Sequence, residues 1–301
     1  NEDTDEWEFE DWDSNGDDIF AKWTVLAGGK DTLDLMPDIY IGRLACRNKF
    51  EVKIMVNKII EYESTPPEDK PWFKKMIGIG GRTFNIFEGQ PDGEYSCDVA
   101  MGYMGDLIDE EVRVYASNKD TSGPTIPEDI MPSISEGAGY VLFQGHGNPT
   151  NWNTHPVDNP DEWIGPATMV YDFPQLSNEE KLPVILVGGC HNGLFTLTIL
   201  QIILNSKEYW TDYPSPFCFS WGLCVMPKGG AIASTGCTGY GFSNPGPINH
   251  SGALETGFFY QIGQKGATNL GDAHSGTIRD YILKEHIGAD EAFCMTIWQL
   301  F

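Results

Sequence analysis

Two stretches decide the fold: Tyr140-Val-Leu-Phe-Gln-Gly-His-Gly147 and Val184-Ile-Leu-Val-Gly-Gly-Cys-His-Asn-Gly193. Each is a short run rich in Val, Ile, Leu and Phe that ends in glycines. That is the pattern of a strand buried on both faces, as in a parallel sheet covered by helices. Each run carries a reactive side chain just past its end, His146 after the first and Cys190 after the second. Chemistry in open parallel sheets collects at the carboxyl ends of the strands. If the two strands are neighbours, an imidazole faces a thiol across one crevice, a nucleophile with its base. The glycines around each residue let the backbone turn sharply and expose its N–H groups. The N–H groups of Gly147 and Cys190 are therefore candidate donors to an oxyanion. Read alone, either residue is ordinary: a small buried hydrophobe for the Cys, a solvated turn for the His.

These motifs resemble those of the gingipain-type cysteine peptidases. Tyr140–Gly147 followed by Asn151-Trp152 is similar to their histidine motif, and Gly189-Cys-His-Asn-Gly193 to their nucleophile motif. Further similar segments follow the same chain order: Asp11-Trp-Asp-Ser-Asn-Gly16, Asp38-Ile-Tyr-Ile-Gly-Arg-Leu44 and Ala231-Ile-Ala-Ser-Thr235. The resemblance implies a caspase-like three-layer α/β/α sandwich with a mostly parallel sheet, and an endopeptidase with a Cys190–His146 dyad. It also implies a secreted or cell-surface location. In the best-known members a Glu in the loop after the first catalytic strand supports the histidine. Here that loop opens Gly80-Gly-Arg-Thr-Phe84, with no acid in place, and Glu88 further along has no assigned role.

The resemblance extends to specificity. Gly93-Glu-Tyr-Ser-Cys-Asp98 is similar to the stretch that carries a pocket Asp in arginine-specific members. Asp98 is thus expected either to receive an Arg or Lys side chain before the scissile bond or to cap a helix starting near Val99. Tyr240 falls where an aromatic lid covers that pocket. Trp152 lies in the long loop Asn148–Tyr171, where substrate contacts are expected. His155, in the same loop, reads as an ordinary loop histidine, and His191 as pointing away from the nucleophile.

With 301 residues the chain can bury a large core. Its net charge of -25 argues against nucleic acid or an anionic membrane as partner and is compatible with protein or peptide substrates. No apolar run approaches the ~20 residues of a membrane span. Asn1 opens into an acidic segment rather than a signal peptide, and the chain stops inside an expected strand, so a mature or trimmed product is expected. The seven cysteines show no metal-ligand spacing; with Cys190 as nucleophile, the other six would permit three disulfides. Cys97 and Cys237 are expected near the cleft.

Asp11, Asp13, Asn15 and Asp17 alternate around Gly16, as in a calcium loop, but Lys22 stands where an EF-hand has its bidentate Glu. The segment is either a calcium-binding turn completed by a distant carboxylate or an Asx-rich turn with solvated carboxylates. Apolar residues at 52, 55, 56, 59 and 60 predict an amphipathic helix over 51–62. Pro66 and Pro67 break the chain after it. Residues 1–70 are therefore read as a partial N-terminal subdomain and 71–301 as the catalytic one. Within the latter, strands are expected at 76–80, 112–115, 231–235 and 295–298, and helices at 94–105, 194–205, 253–264 and 270–283. Two alternatives remain open: a transpeptidase or ligase on the same dyad, and a non-catalytic calcium-dependent binding module.

Overall fold

A computed structural model describes residues 12–22, 31, 33–65, 70–198, 200–201, 203–204, 215–242, 248–284 and 289–301. Its centre is a six-stranded sheet. The strands are β1 (Lys75–Gly80), β4 (Glu110–Tyr115), β5 (Tyr140–Gln144), β9 (Val184–Gly188), β10 (Ala233–Cys237) and β11 (Trp298–Leu300), in spatial order β11-β10-β9-β5-β1-β4. All pairings are parallel except β10 with the edge strand β11. A hairpin, β2 (Ile86–Phe87) with β3 (Gln90–Pro91), and a small sheet of β6 (His146–Asn148), β7 (Asn151–Thr154) and β8 (Ile164–Met169) are built on its carboxyl end.

Strand alternation divides the core in two. Ile77, Ile79, Val114, Val141, Phe143, Ile185 and Val187 face one layer, which holds α3 (Ile130–Ser135), α4 (Phe219–Cys224) and Met55 of α1 (Lys49–Ser64). Met76, Tyr140, Leu142, Val184 and Leu186 face the other, with α2 (Asp92–Met104), α5 (His250–Gly263), α6 (Leu270–Lys284) and α7 (Ala289–Ile297). A strand pointing alternate side chains into two apolar layers needs apolar residues at every position, which is why these strands read as unbroken hydrophobic runs.

Several expectations are corrected. Helix α1 exists, started by Asn48, whose side chain accepts from the N–H groups of Phe50 and Glu51. Its inward face is Glu51, Met55 and Lys58, while Val52, Val56 and Ile60 are exposed. Lys58 carries its ammonium across to the carbonyls of Cys224, Gly229 and Ala231. Of the expected buried helix 194–205, the described residues 194–198 are turns and coil, and 200–201 and 203–204 are helical but with Leu200, Ile203 and Leu204 exposed. The strand expected at 295–298 is instead the end of α7 followed by β11. The strand expected at 231–235 is shifted to 233–237.

Candidate active site

The pairing of β5 with β9 matches Gln144 to Gly188. The two strands therefore end level, and two residues past each end stand His146 and Cys190. Both line one crevice with Gly145, Gly188 and Gly189. The glycines are required by close approach. A Cβ on Gly145 would lie 2.6 Å from the Asn153 carbonyl oxygen and 2.7 Å from the Trp152 ring. A Cβ on Gly189 would come within 2.9 Å of the Gly147 nitrogen, so the two glycine turns pack directly on each other.

His146 is held on three sides. Its Nε2 donates to the Thr83 carbonyl oxygen at 2.9 Å. Since a carbonyl only accepts, Nε2 carries the hydrogen and the lone pair of the neutral ring lies on Nδ1. The Phe84 ring meets the imidazole edge-on at 5.2 Å, and the contacting His155 and Trp163 rings together form the third side, at 5.2 and 5.1 Å. Among the described residues no carboxylate bonds the ring directly. Asp92 acts one step back: its Oδ1 accepts from the N–H of Thr83 at 2.7 Å and its Oδ2 from that of Phe84 at 3.0 Å. It thereby fixes the short loop that presents both the carbonyl and the aromatic ring. The Arg82 and His155 backbones bridge the same loop to the far side of the crevice.

The Cys190 thiol is half-buried and donates to the Gly241 carbonyl oxygen at 3.7 Å. Burial pushes its pKa up, and the nearby Glu255 adds to this. Burial pushes the His146 pKa down, against the Thr83 bond, which raises it; His155 lowers it further and Asp92 raises it. Both shifts favour the uncharged forms, so the pair rests as thiol and neutral imidazole.

The remaining expected residues are placed elsewhere. Asp98 sits in the middle of α2, so it caps no helix. Its Oδ1 accepts from Arg113 Nε and the Tyr115 hydroxyl at 2.8 Å each, and its Oδ2 from Gln90 Nε2 at 2.7 Å. It does not line the crevice that holds Cys190. Trp152 is fully buried, packed on Phe143, and donates from Nε1 to the Gly188 carbonyl; it braces the strand ends rather than offering a surface. Tyr240 is partly exposed against the His191 ring, while its neighbours Gly241 and Phe242 line the crevice. His155 is not an ordinary loop histidine: it is buried, packed against the Trp163 ring in a tilted contact at 3.9 Å, and bonded through Nδ1 to the Glu162 carbonyl. All seven cysteines are thiols. Cys97 and Cys237 are both fully buried. Sequence reasoning missed Thr83, Asp92 and Glu255, because a backbone carbonyl leaves no mark on side-chain identity and the two acids are far from the motifs in sequence.

The acidic turn does not fit a calcium loop. Asp13 accepts backbone N–H groups on both oxygens, from Asp17 and Asp18, and the Lys22 ammonium pairs with Asp17, supplying the positive charge itself. Asp11 lies outside the described residues, and Asn15 is exposed. Among the described residues no cluster of three or more His, Cys, Asp or Glu side chains could hold a metal ion. None of the described helices is long and apolar enough to cross a membrane.

Comparison with known proteins agrees with the geometry. The profile of peptidase family C25 matches residues 5–299. Gingipain R2 of Porphyromonas gingivalis is 25% identical over 166 residues, 54% of this chain and 20% of that protein. Lys-gingipain of the same species is 21% identical over 204 residues, 67% of this chain and 10% of that protein. The chain thus spans a fifth or less of the curated relatives it matches. The crystal structure of the Arg-specific cysteine proteinase gingipain R superposes with a TM-score of 0.64 at 18% identity, covering 89% of this chain and 55% of that one. The expected caspase-like α/β arrangement with a mostly parallel sheet is the one observed.

Proposed function

The chain belongs to peptidase family C25, and from that premise we propose that it is a cysteine endopeptidase working through Cys190 and His146. The observation that carries this is the level ending of β5 and β9, which sets both residues along one crevice. As the thiol attacks the peptide carbonyl carbon, its proton passes to His146 Nδ1. The N–H groups of Cys190 and Gly147 receive the developing oxyanion. The imidazolium then protonates the departing amine and leaves a thioester, which water, activated by the same nitrogen, hydrolyses. Thr83 supplies through its carbonyl the orientation that a carboxylate supplies elsewhere, and Asp92 holds that carbonyl in place.

The printed names of the relatives, gingipain R and Lys-gingipain, support a preference for Arg or Lys before the scissile bond. Residues 1–70 are read as a partial N-terminal subdomain and 71–301 as the catalytic one. The location is read as secreted or cell-surface from the family alone. A peptide library profiled with wild type, Cys190→Ala and His146→Ala tests the reaction. Cleavage is expected from wild type only, and cleavage by Cys190→Ala sinks the assignment. An added amine nucleophile in the same assay separates hydrolysis from peptide transfer.

A further inference from the structure

Of the aromatic rings at this end of the sheet, Phe143 and Trp152 are sealed into the core. Phe84 and Trp163 are not: they stay 40% and 54% exposed, although each packs against the His146 imidazole. Large apolar faces left open beside a reactive group mark a surface on which something apolar docks.

Both rings are fixed in advance. Phe84 stands on the loop that Asp92 holds, and its own N–H donates to Asp92 Oδ2 at 3.0 Å. Trp163 directly precedes β8 and lies against His155. His155 is bonded through Nδ1 to the carbonyl of Glu162, next to Trp163 in the chain, and its backbone pairs with that of Arg82. Arg82 Nη1 donates to the Val157 carbonyl at 3.3 Å, which ties down the chain between His155 and Trp163. A wall held this way pays little ordering entropy when a ligand lands on it.

We propose that Phe84 and Trp163 form the subsite for the residue that follows the scissile bond and select a large apolar side chain there, as in Leu or Phe; this inference rests on the peptidase reading above.

The chemistry of the reaction places that residue. Breaking the C–N bond leaves the acyl half on Cys190 Sγ and gives the departing nitrogen a proton from His146. That nitrogen must therefore come within hydrogen-bond reach of the imidazole, about 3 Å. The next side chain begins two bonds past the nitrogen, so it lands on what flanks the imidazole rather than on what flanks the thiol. The rings flanking the imidazole are Phe84, Trp163 and His155, with centroids 5.1 to 5.2 Å away. His155 is buried and backs this surface, while the two exposed rings form its walls. Beside the thiol stand different residues: Gly241, whose carbonyl accepts the Cys190 hydrogen, and its neighbour Phe242. The two halves of the substrate thus meet separate walls. A Leu or Phe side chain laid on Phe84 and Trp163 removes its own apolar surface and theirs from water, and a Phe ring can add edge-to-face contacts. Gly leaves both walls wet.

The test uses three readouts. Peptides identical up to the scissile bond and carrying Gly, Ala, Leu, Phe or Lys after it are assayed on wild type, Trp163→Ala, Trp163→Phe and Phe84→Ala. A methyl ester of the same acyl peptide, which has no residue after the scissile bond, then forms the acyl-enzyme, and glycinamide or phenylalaninamide competes with water for it. The amine nitrogen attacks the thioester carbon, its proton passes to His146 Nδ1, and the C–S bond breaks to return the thiol. Last, the same two amides are tested for slowing iodoacetamide labelling of Cys190, which requires no turnover. Wild type is expected to favour Phe or Leu over Gly by about 30-fold in kcat/KM, and phenylalaninamide over glycinamide as acceptor by a similar ratio. Trp163→Ala and Phe84→Ala should each reduce both ratios to within about 5-fold, and Trp163→Phe should keep most of the preference. The acceptor ratio and the labelling of wild type stand even if an alanine variant fails to fold. A loosened His146 alone would slow all five peptides alike and leave both ratios intact, and that result in folded Trp163→Ala and Phe84→Ala overturns the assignment. Equal turnover of Gly and Phe peptides by wild type, a preference for Lys over Leu, or absence of shielding by phenylalaninamide overturns it too. A wild type that cleaves nothing, yet is shielded by phenylalaninamide and not by glycinamide, removes the peptidase reading and leaves the apolar subsite standing.

Discussion

Cys190 and His146 line one crevice as neutral groups, and this sets the pH behaviour of the site. A thiol raised by burial and an imidazole lowered by it do not form a resting ion pair. Iodoacetamide modification of Cys190 in the free protein should therefore rise with pH to a midpoint at or above the ordinary ~8.5 of a thiol. A rate that stays flat down to pH 5 would instead indicate a thiolate–imidazolium pair. Turnover needs the neutral imidazole, so its acid limb should fall below the ordinary histidine value of ~6.5. Asp92 fixes the carbonyl and ring that aim His146. Asp92→Asn replaces one acceptor oxygen by a donor facing an N–H. It should lower kcat by about 10–100-fold with KM little changed and should move the acid limb. A purely structural role would lower the melting temperature and leave the limb in place.

Among the elements, α1 shows most clearly how packing overrides pattern. Its apolar positions 52, 56 and 60 face outward, because the inward face is committed to a polar task. The Lys58 ammonium satisfies three carbonyls around the end of α4, and burial depresses its pKa to about 8. Lys58→Met would leave those carbonyls without their donor and should cost about 2–3 kcal/mol, read as a lower urea midpoint. Because α1 shares a core with the sheet through Met55, its unfolding should coincide with that of the sheet, and a separate earlier transition would contradict this. At the start of α2, Glu94 is buried and accepts from the N–H and hydroxyl of Ser117. Burial lifts its pKa to about 7, against those two bonds, with a smaller upward push from Asp98. A carboxyl raised above its unfolded value of about 4.3 binds more protons when folded, so its contribution falls as pH rises from about 4.5 to 7. Glu94→Gln should remove that slope, gaining on wild type by on the order of 2–3 kcal/mol between pH 5 and pH 8; parallel pH profiles would refute it.

Over the whole molecule, the net charge of -25 makes the surface a long-range attractor for basic peptides. The kcat/KM of a basic substrate should fall as salt rises from 0.02 to 0.5 M, by about 3–10-fold, because the Debye length shrinks below the reach of the field; a neutral substrate should show no such trend. The acidic turn is neutralised from within by Lys22. The thermal midpoint should therefore be the same in chelator and in millimolar calcium, and a rise with calcium would restore the metal reading.

The sequence by itself determined the buried strands, because residues in a doubly covered sheet are constrained at every position. It also singled out the two candidate residues, because glycines must flank a side chain displayed at a strand end. Their equivalence survives in the register, Gln144 opposite Gly188. Tertiary structure alone decided which groups surround them. The partner of His146 is a backbone carbonyl, the brace is Asp92, and Glu255, from a helix far along the chain, lines the crevice. Asp98, favoured by its local stretch, was claimed by Arg113 and Tyr115 of the neighbouring strand. Local patterns record what a residue needs from its own backbone; which partners a carboxylate finds depends on every element packed around it, and only the folded chain brings those together.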